Sequence, residues 1–248
     1  MKLFKLLSSL LDYPQDVLWA HREELLQACT DPALPPSRRE ALATFTVDLL
    51  DLEPMAAQER WLALFDRGRS MSLLLFEHIH GESRDRGQAM VDLIETYRRA
   101  GFELNSRELP DYLPLLLEFL SRRDAVEARD WLQHSGHILE LLAARAAERN
   151  SPYGLIFEIL VEIGLGKVEL ATMRRRVASE ARDDTQEAMD AVWEEEAVRF
   201  GPEAPKDDCA PPSRLPSGAR PAAVTPADLP GSSSRSVPHA PQGATAIR

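Results

Sequence analysis

Leu3, Leu6, Leu7, Leu10 and Leu11 mark one face of a helix, and the same 3.6-residue periodicity returns along the chain as far as Phe200. Period-two alternation, the mark of a half-buried strand, is not sustained anywhere. Stripes of this kind are buried by packing helix against helix, so the periodicity predicts an all-α fold.

Prolines, glycines and capping residues divide the pattern. Pro14 ends the first helix, and a second is expected over about 16–29. Residues 31–36 connect to a third helix, opened by Pro35 and Pro36 where a missing N–H is harmless, that reaches about Leu52. Pro54 opens a fourth with Trp61, Leu62 and Phe65 inward, and a short fifth over 71–80 stops at Gly81. A sixth, 84–100, carries Met90, Leu93, Ile94 and Tyr97 on one face. Asp111 is the expected N-cap of a seventh that packs Leu116, Phe119 and Leu120, with Pro114 tolerated in its first turn. Asp124 caps a long eighth helix to about Arg149, and Tyr153, Ile156, Phe157, Leu160 and Ile163 define a ninth. Less apolar helices follow over 167–178 and 185–200. About ten helices, short connections and no repeat of fixed period describe a compact single-domain bundle.

Composition shifts after Phe200. Ten of the 18 prolines fall in residues 201–248, which contain no Phe, Trp or Tyr. Such a segment buries too little apolar surface to offset roughly 1–2 kcal/mol of backbone entropy per residue. The expected organisation is therefore a helical domain over 1–200 and a disordered Pro-rich tail over 201–248.

Charge and cysteine content narrow the partners. The formal net charge is −11; the tail has five basic and four acidic residues, leaving −12 on the first 200. That balance repels nucleic acid and anionic lipid and suits a basic or apolar peptide. Two cysteines, Cys29 and Cys209, exclude a disulfide framework and fit a reducing compartment. Residues 3–11 are apolar, but Ser8, Ser9 and Asp12 interrupt them and no small-residue cleavage site follows, so the expected location is cytoplasmic. No stretch approaches the roughly 18 apolar residues of a membrane span.

The signatures of catalysis do not assemble. There is no GxGxxG after a strand, no GxxxxGK[ST] and no His-Asp pair. A di-iron bundle needs two Glu-x-x-His spacings, and only Glu77 to His80 has one. His78 and His80, at i and i+2, point about 200° apart on a helix and cannot share an ion there. No catalytic residue, metal or cofactor is expected. A metal-dependent helical hydrolase or oxygenase centred on Glu77, His78 and His80 is the alternative.

Two segments are denser in turn and charge chemistry than helix junctions require. In residues 80–87, His-Gly-Glu-Ser-Arg-Asp-Arg-Gly, Ser83 can cap the next helix, or the whole loop can contribute to a groove. Residues 108–114, Glu-Leu-Pro-Asp-Tyr-Leu-Pro, read either as a proline-stiffened N-cap or as a preorganised rim presenting Asp111, Tyr112 and Glu118 to a bound segment. Tyr112 has the apolar body and polar tip of an interface anchor.

These segments also carry a family resemblance. Phe65-Asp66-Arg67-Gly68-Arg69-Ser70, the run from Phe76 to Val91, residues 108–114 with Glu118-Phe119-Leu120, and Trp193-Glu194-Glu195 resemble the signature of NarJ-type chaperones, within the TorD/DmsD group of redox-enzyme maturation proteins. In the wider group the loop reads Glu-Pro-x-Asp-His. Here Glu108 and Asp111 match, Leu109 replaces the proline, Pro110 falls one place later and Tyr112 stands where His is usual.

The resemblance implies an all-helical cytoplasmic protein, not an enzyme. It would hold the apo catalytic (alpha) subunit of respiratory nitrate reductase by an N-terminal peptide. It would also support molybdenum cofactor insertion before membrane docking, alongside proteins that deliver the cofactor. The candidate partner-binding residues are Asp66, His80, Arg84, Arg86, Glu108, Asp111, Tyr112 and Glu118. Helix-in-groove recognition is the expected physical mode, with the acidic surface favouring basic flanks on the target.

Overall fold

Collapse of the leucine stripes buries the apolar face of the first helix in the core. The structure, a computed structural model, describes residues 2–81, 83–104, 108–167, 170–196 and 245–247. Helix α1 (Lys2–Leu11) buries Leu3, Phe4, Leu6, Leu7, Leu10 and Leu11 and packs chiefly against α8 (Leu113–Ser121), whose residues from Leu113 to Leu120 are all buried. Ser8, a polar break in the stripe, is also buried and donates to the Pro114 carbonyl at 2.7 Å, so the interruption is satisfied rather than exposed.

The second expected helix is two, α2 (Val17–Ala20) and α3 (Arg22–Ala28). His21 leaves helical geometry between them, while the Trp19 indole donates to the Leu52 carbonyl and Leu25 and Cys29 still reach the core. Helices α4 (Pro36–Leu50) and α5 (Pro54–Phe65) start on their prolines as expected. On α5 the inward stripe is Ala57, Trp61, Leu64 and Phe65, at i, i+4, i+7 and i+8. Leu62 lies about 100° off that stripe and is 38% exposed, contrary to its expected inward place.

The expected fifth helix begins only at Leu75. A 3-10 turn (Arg69–Met71) precedes α6 (Leu75–His80), because the intervening residues pair with 111–113 instead of with one another. Helix α7 (Asp85–Arg99) follows Gly81, whose φ of 54° suits glycine. The long eighth helix is likewise two, α9 (Ala125–His134) and α10 (Gly136–Glu148). The bend at Ser135 and Gly136 lets α11 (Gly154–Leu165) pack along both: a Cβ on Gly136 would stand 3.1 Å from the Leu165 side chain, and one on Gly164 would stand 3.0 Å from Leu132 Cβ. Asp124 caps α9 by accepting from the Val126 and Glu127 amides, both at 2.9 Å. Helices α12 (Ala171–Val177) and α13 (Gln186–Glu196) complete thirteen among the described residues. None of these helices is long and apolar enough to cross a membrane.

The single sheet among the described residues is a short parallel pair, β1 (Phe102–Leu104) with β2 (Thr245–Ile247), Phe102 opposite Thr245. The expected domain boundary at 200, the helix end over 197–200 and residues 201–244 of the expected tail lie outside the described residues.

Candidate functional site

The segment 108–114 meets the residues that open α6, the helix leading into 80–87. The Leu75 amide donates to the Asp111 carbonyl at 3.1 Å and the Leu113 amide to the Leu73 carbonyl at 2.8 Å, with an antiparallel bridge between Leu74 and Tyr112. Asp111 is fully buried, and its Oδ2 accepts from the Phe76 amide at 2.9 Å. Asp111 is therefore a side-chain acceptor for the start of α6, and Tyr112, not Asp111, occupies the N-cap position of α8. The reason is geometric: the Tyr112 amide closes a turn on the Leu109 carbonyl at 3.0 Å, and pairing of 111–113 with 73–75 aims the carboxylate across the junction rather than along its own helix.

The junction is polar but mostly sealed. The Tyr97 hydroxyl donates to the Pro110 carbonyl at 2.9 Å, and His78 Nε2 lies 2.8 Å from the Ser72 carbonyl. Arg86 pairs with Glu77 at 3.2 Å, while Arg86 Nε and Asp111 Oδ1 are buried without a partner. Burial pushes the Asp111 carboxyl above its usual range and the His78 imidazole below. Among the described residues no group of three or more His, Cys, Asp or Glu side chains is placed to hold a metal ion.

The expected rim does not face solvent. Asp111, Tyr112 and Glu118 are all buried, because 110–120 runs through the core and α8 packs on α1. Asp66, Arg84 and Glu108 are exposed, His80 is half-buried edge-on to the Phe76 ring, and Arg86 is half-buried against Glu77. The structure brings Arg86 close to Asp111 through the α6–α7 turn, and does not gather all eight residues at one surface.

Tyr112 and Glu118 nevertheless reach a surface through intermediaries. The Tyr112 hydroxyl donates to Asp12 Oδ1 at 3.1 Å, and Lys5 Nζ donates to Glu118 Oε1 at 2.7 Å. Asp12 and Lys5 both line a groove of about 730 Å³ between the outer edge of α1 and the α2–α3 pair. Leu6, Val17, Leu18, Leu25 and Ala28 provide its apolar floor, and Lys2, Asp12, His21, Glu24 and Asp31 its polar edge. Val17 is 49% exposed there. Sequence reasoning missed this groove. No run of residues signalled it: the groove forms where α1 meets two short helices divided at His21.

A groove of this size with an apolar floor, braced from the core side by buried polar residues, has the dimensions and lining to admit a polypeptide segment or a small apolar ligand. Comparison with known proteins decides the family. The model described as "Nitrate reductase delta subunit" matches residues 31–157. The chain belongs to that family. Among the family's relatives, the nitrate reductase molybdenum cofactor assembly chaperone NarJ of Escherichia coli K12 is 48% identical over 196 residues, covering 79% of this chain and 83% of that protein. The probable assembly chaperone NarW of the same strain is 44% identical over 202 residues, 81% of this chain and 84% of its own. A probable NarJ from Bacillus subtilis 168 is 31% identical over 158 residues, 64% of this chain and 85% of its own. The family resemblance read from residues 65–91 and 108–120 is thus shown, and the named relatives are chaperones rather than enzymes.

Proposed function

We propose that this chain is a cytoplasmic assembly chaperone for respiratory nitrate reductase. It holds the apo catalytic (alpha) subunit by an N-terminal segment and keeps it open for molybdenum cofactor insertion before membrane docking. The observation that carries the reading is the 48% identity to E. coli NarJ over most of both chains.

The groove between α1 and α2–α3 supports a physical mode. An amphipathic helical segment would lay aliphatic anchors on Leu6, Val17, Leu18 and Leu25, while Asp12, Glu24 and Asp31 meet basic residues on its flanks. Lys5 is held by Glu118 and Asp12 is met by Tyr112, so these two edge groups are preorganised by the core. Asp111, Tyr112 and Glu118 then act as positioning residues, and cofactor competence follows because binding favours the open form of the subunit.

Calorimetry with a peptide of the catalytic subunit's N-terminus tests both levels. Native protein should bind it, and Val17→Asp, at a half-exposed position, should weaken binding about tenfold or more while leaving helicity intact. Unchanged affinity in Val17→Asp removes the groove from the proposal. Failure to capture any nitrate reductase subunit removes the chaperone reading itself.

A further inference from the structure

Residues 65–70, prominent in the sequence, take no part in the groove. They form instead a cradle for a carboxylate. The Ser70 amide donates to Asp183 Oδ2 at 2.7 Å, the Ser70 hydroxyl donates to Asp183 Oδ1, and Arg149 Nη2 reaches that same oxygen at 3.2 Å and Ser70 Oγ at 2.8 Å. Arg145 closes the other side, donating to the Ser70 carbonyl at 2.7 Å and pairing with Glu180 at 2.8 Å. Gly68 makes the approach possible: a Cβ there would sit 2.6 Å from Asp183 Cγ. Its φ of −142° is open to any residue, so the requirement is for space.

We infer that Gly68, Ser70, Arg145 and Arg149 form an oxyanion-binding site for a small phosphate monoester, which the chain plugs with its own Asp183. The site has what an anion cradle needs: a backbone N–H, a hydroxyl, two guanidiniums and a glycine where the anion comes closest. The Arg149 side chain is 8% exposed, so the positive charge is held out of water and needs a counter-charge. The plug belongs to the connector between α12 and α13, residues 178–185, which places no residue in the core. Connectors anchored by polar contacts alone open at lower free energy than core helices.

Charge selects the class of ligand. Glu180, Asp183 and Asp184 bring three negative charges and Arg182 one positive, a net −2 set against the +2 of Arg145 and Arg149. Lifting the connector takes the ion-pair partners Glu180, Asp183 and Asp184 away from that +2, in a protein of net charge −11. A phosphate monoester carries about −1.5 to −2 at neutral pH with three strong acceptor oxygens, and so restores the balance. A lone carboxylate restores only half of it. Burial works against ionised Asp183, yet hydrogen bonds from Ser70 and the charge of Arg149 hold its carboxyl below the usual range, as expected of a site built for an anion.

The test uses the full chain with inorganic phosphate and a simple alkyl phosphate monoester, against chloride at matched ionic strength. Asp183→Ala removes the internal competitor and should raise phosphate affinity about tenfold or more by calorimetry. Adding Gly68→Ala should abolish the gain, since the new methyl fills the oxyanion position. In the native chain, saturating phosphate should speed amide exchange across 180–184 as the plug is displaced. The inference is overturned if Asp183→Ala binds phosphate no more tightly than the native chain. It is equally overturned if exchange in 180–184 is unchanged at saturating phosphate, a readout that does not depend on any variant folding.

Discussion

The Asp111 carboxylate accepts the Phe76 amide at 2.9 Å, so a side chain from one polar segment starts the helix that carries the other. Two stretches 35 residues apart in sequence are thereby one structural unit. The carboxyl oxygen that makes no bond, Oδ1, lies in the same sealed junction as the unpaired Nε of Arg86.

Asp111→Ala leaves the Phe76 amide without its acceptor and should destabilise the fold by about 1–3 kcal/mol, read from urea unfolding. Asp111→Asn keeps an acceptor. Because burial raises the folded-state pKa of Asp111 above 3.8, the native carboxyl is favourable below that pH and loses its advantage as pH rises through the folded value. Stability of Asp111→Asn relative to the native chain should therefore increase from about pH 4 toward neutrality. A pH-independent difference would show that Asp111 ionises without cost.

His78 gives the opposite slope. Burial lowers its folded-state pKa below 6.5, so its contribution is complete above 6.5 and is lost as pH falls through that value toward the folded one. Urea midpoints of the native chain should fall over that window more steeply than those of His78→Gln. Parallel curves would remove His78 as the cause.

Lys5 and Glu118 couple α1 to α8. Glu118 is 8% exposed, so Lys5→Ala leaves a buried carboxylate without its cation, and a loss of about 1–3 kcal/mol is expected. Glu118→Gln should recover most of that loss in the double variant, which a double-mutant cycle measures directly. Additive losses would mean that the pair does not interact.

Glycine packing separates two helix contacts. Gly164→Ala brings a methyl to 3.0 Å from Leu132 Cβ and 3.1 Å from its backbone carbon, and should cost about 1–3 kcal/mol by overpacking. At Gly136 the nearest atoms belong to the mobile end of the Leu165 side chain, so Gly136→Ala should cost less. Thermal unfolding of the two variants ranks them, and the reverse order would contradict the contact geometry.

Periodicity made the helices legible where a stripe was long: α1, α8 and α11 stand where their leucines and isoleucines put them. It was silent on the breaks at His21 and Ser135, because a bend of one residue leaves spacing on either side intact. That residues 65–70, 80–87 and 108–114 lie at junctions between elements was also legible from their turn and charge chemistry. Their direction was not. Whether Asp111 and Tyr112 face water depends on pairing with residues 73–75, and Asp183 meets Gly68 across more than a hundred residues of chain. Local sequence holds no record of such meetings.

The burial of α1 against α8 sets a timetable for synthesis. Leu3, Phe4 and Leu7 leave the ribosome about a hundred residues ahead of their seat, which is built from residues 113–121. At about 5–20 residues per second, translation keeps that apolar face waiting for several seconds or more. Any factor that recognises hydrophobic nascent helices has this interval to engage it, and slowing elongation between codons 12 and 113 should lengthen the exposure and lower the yield of folded protein.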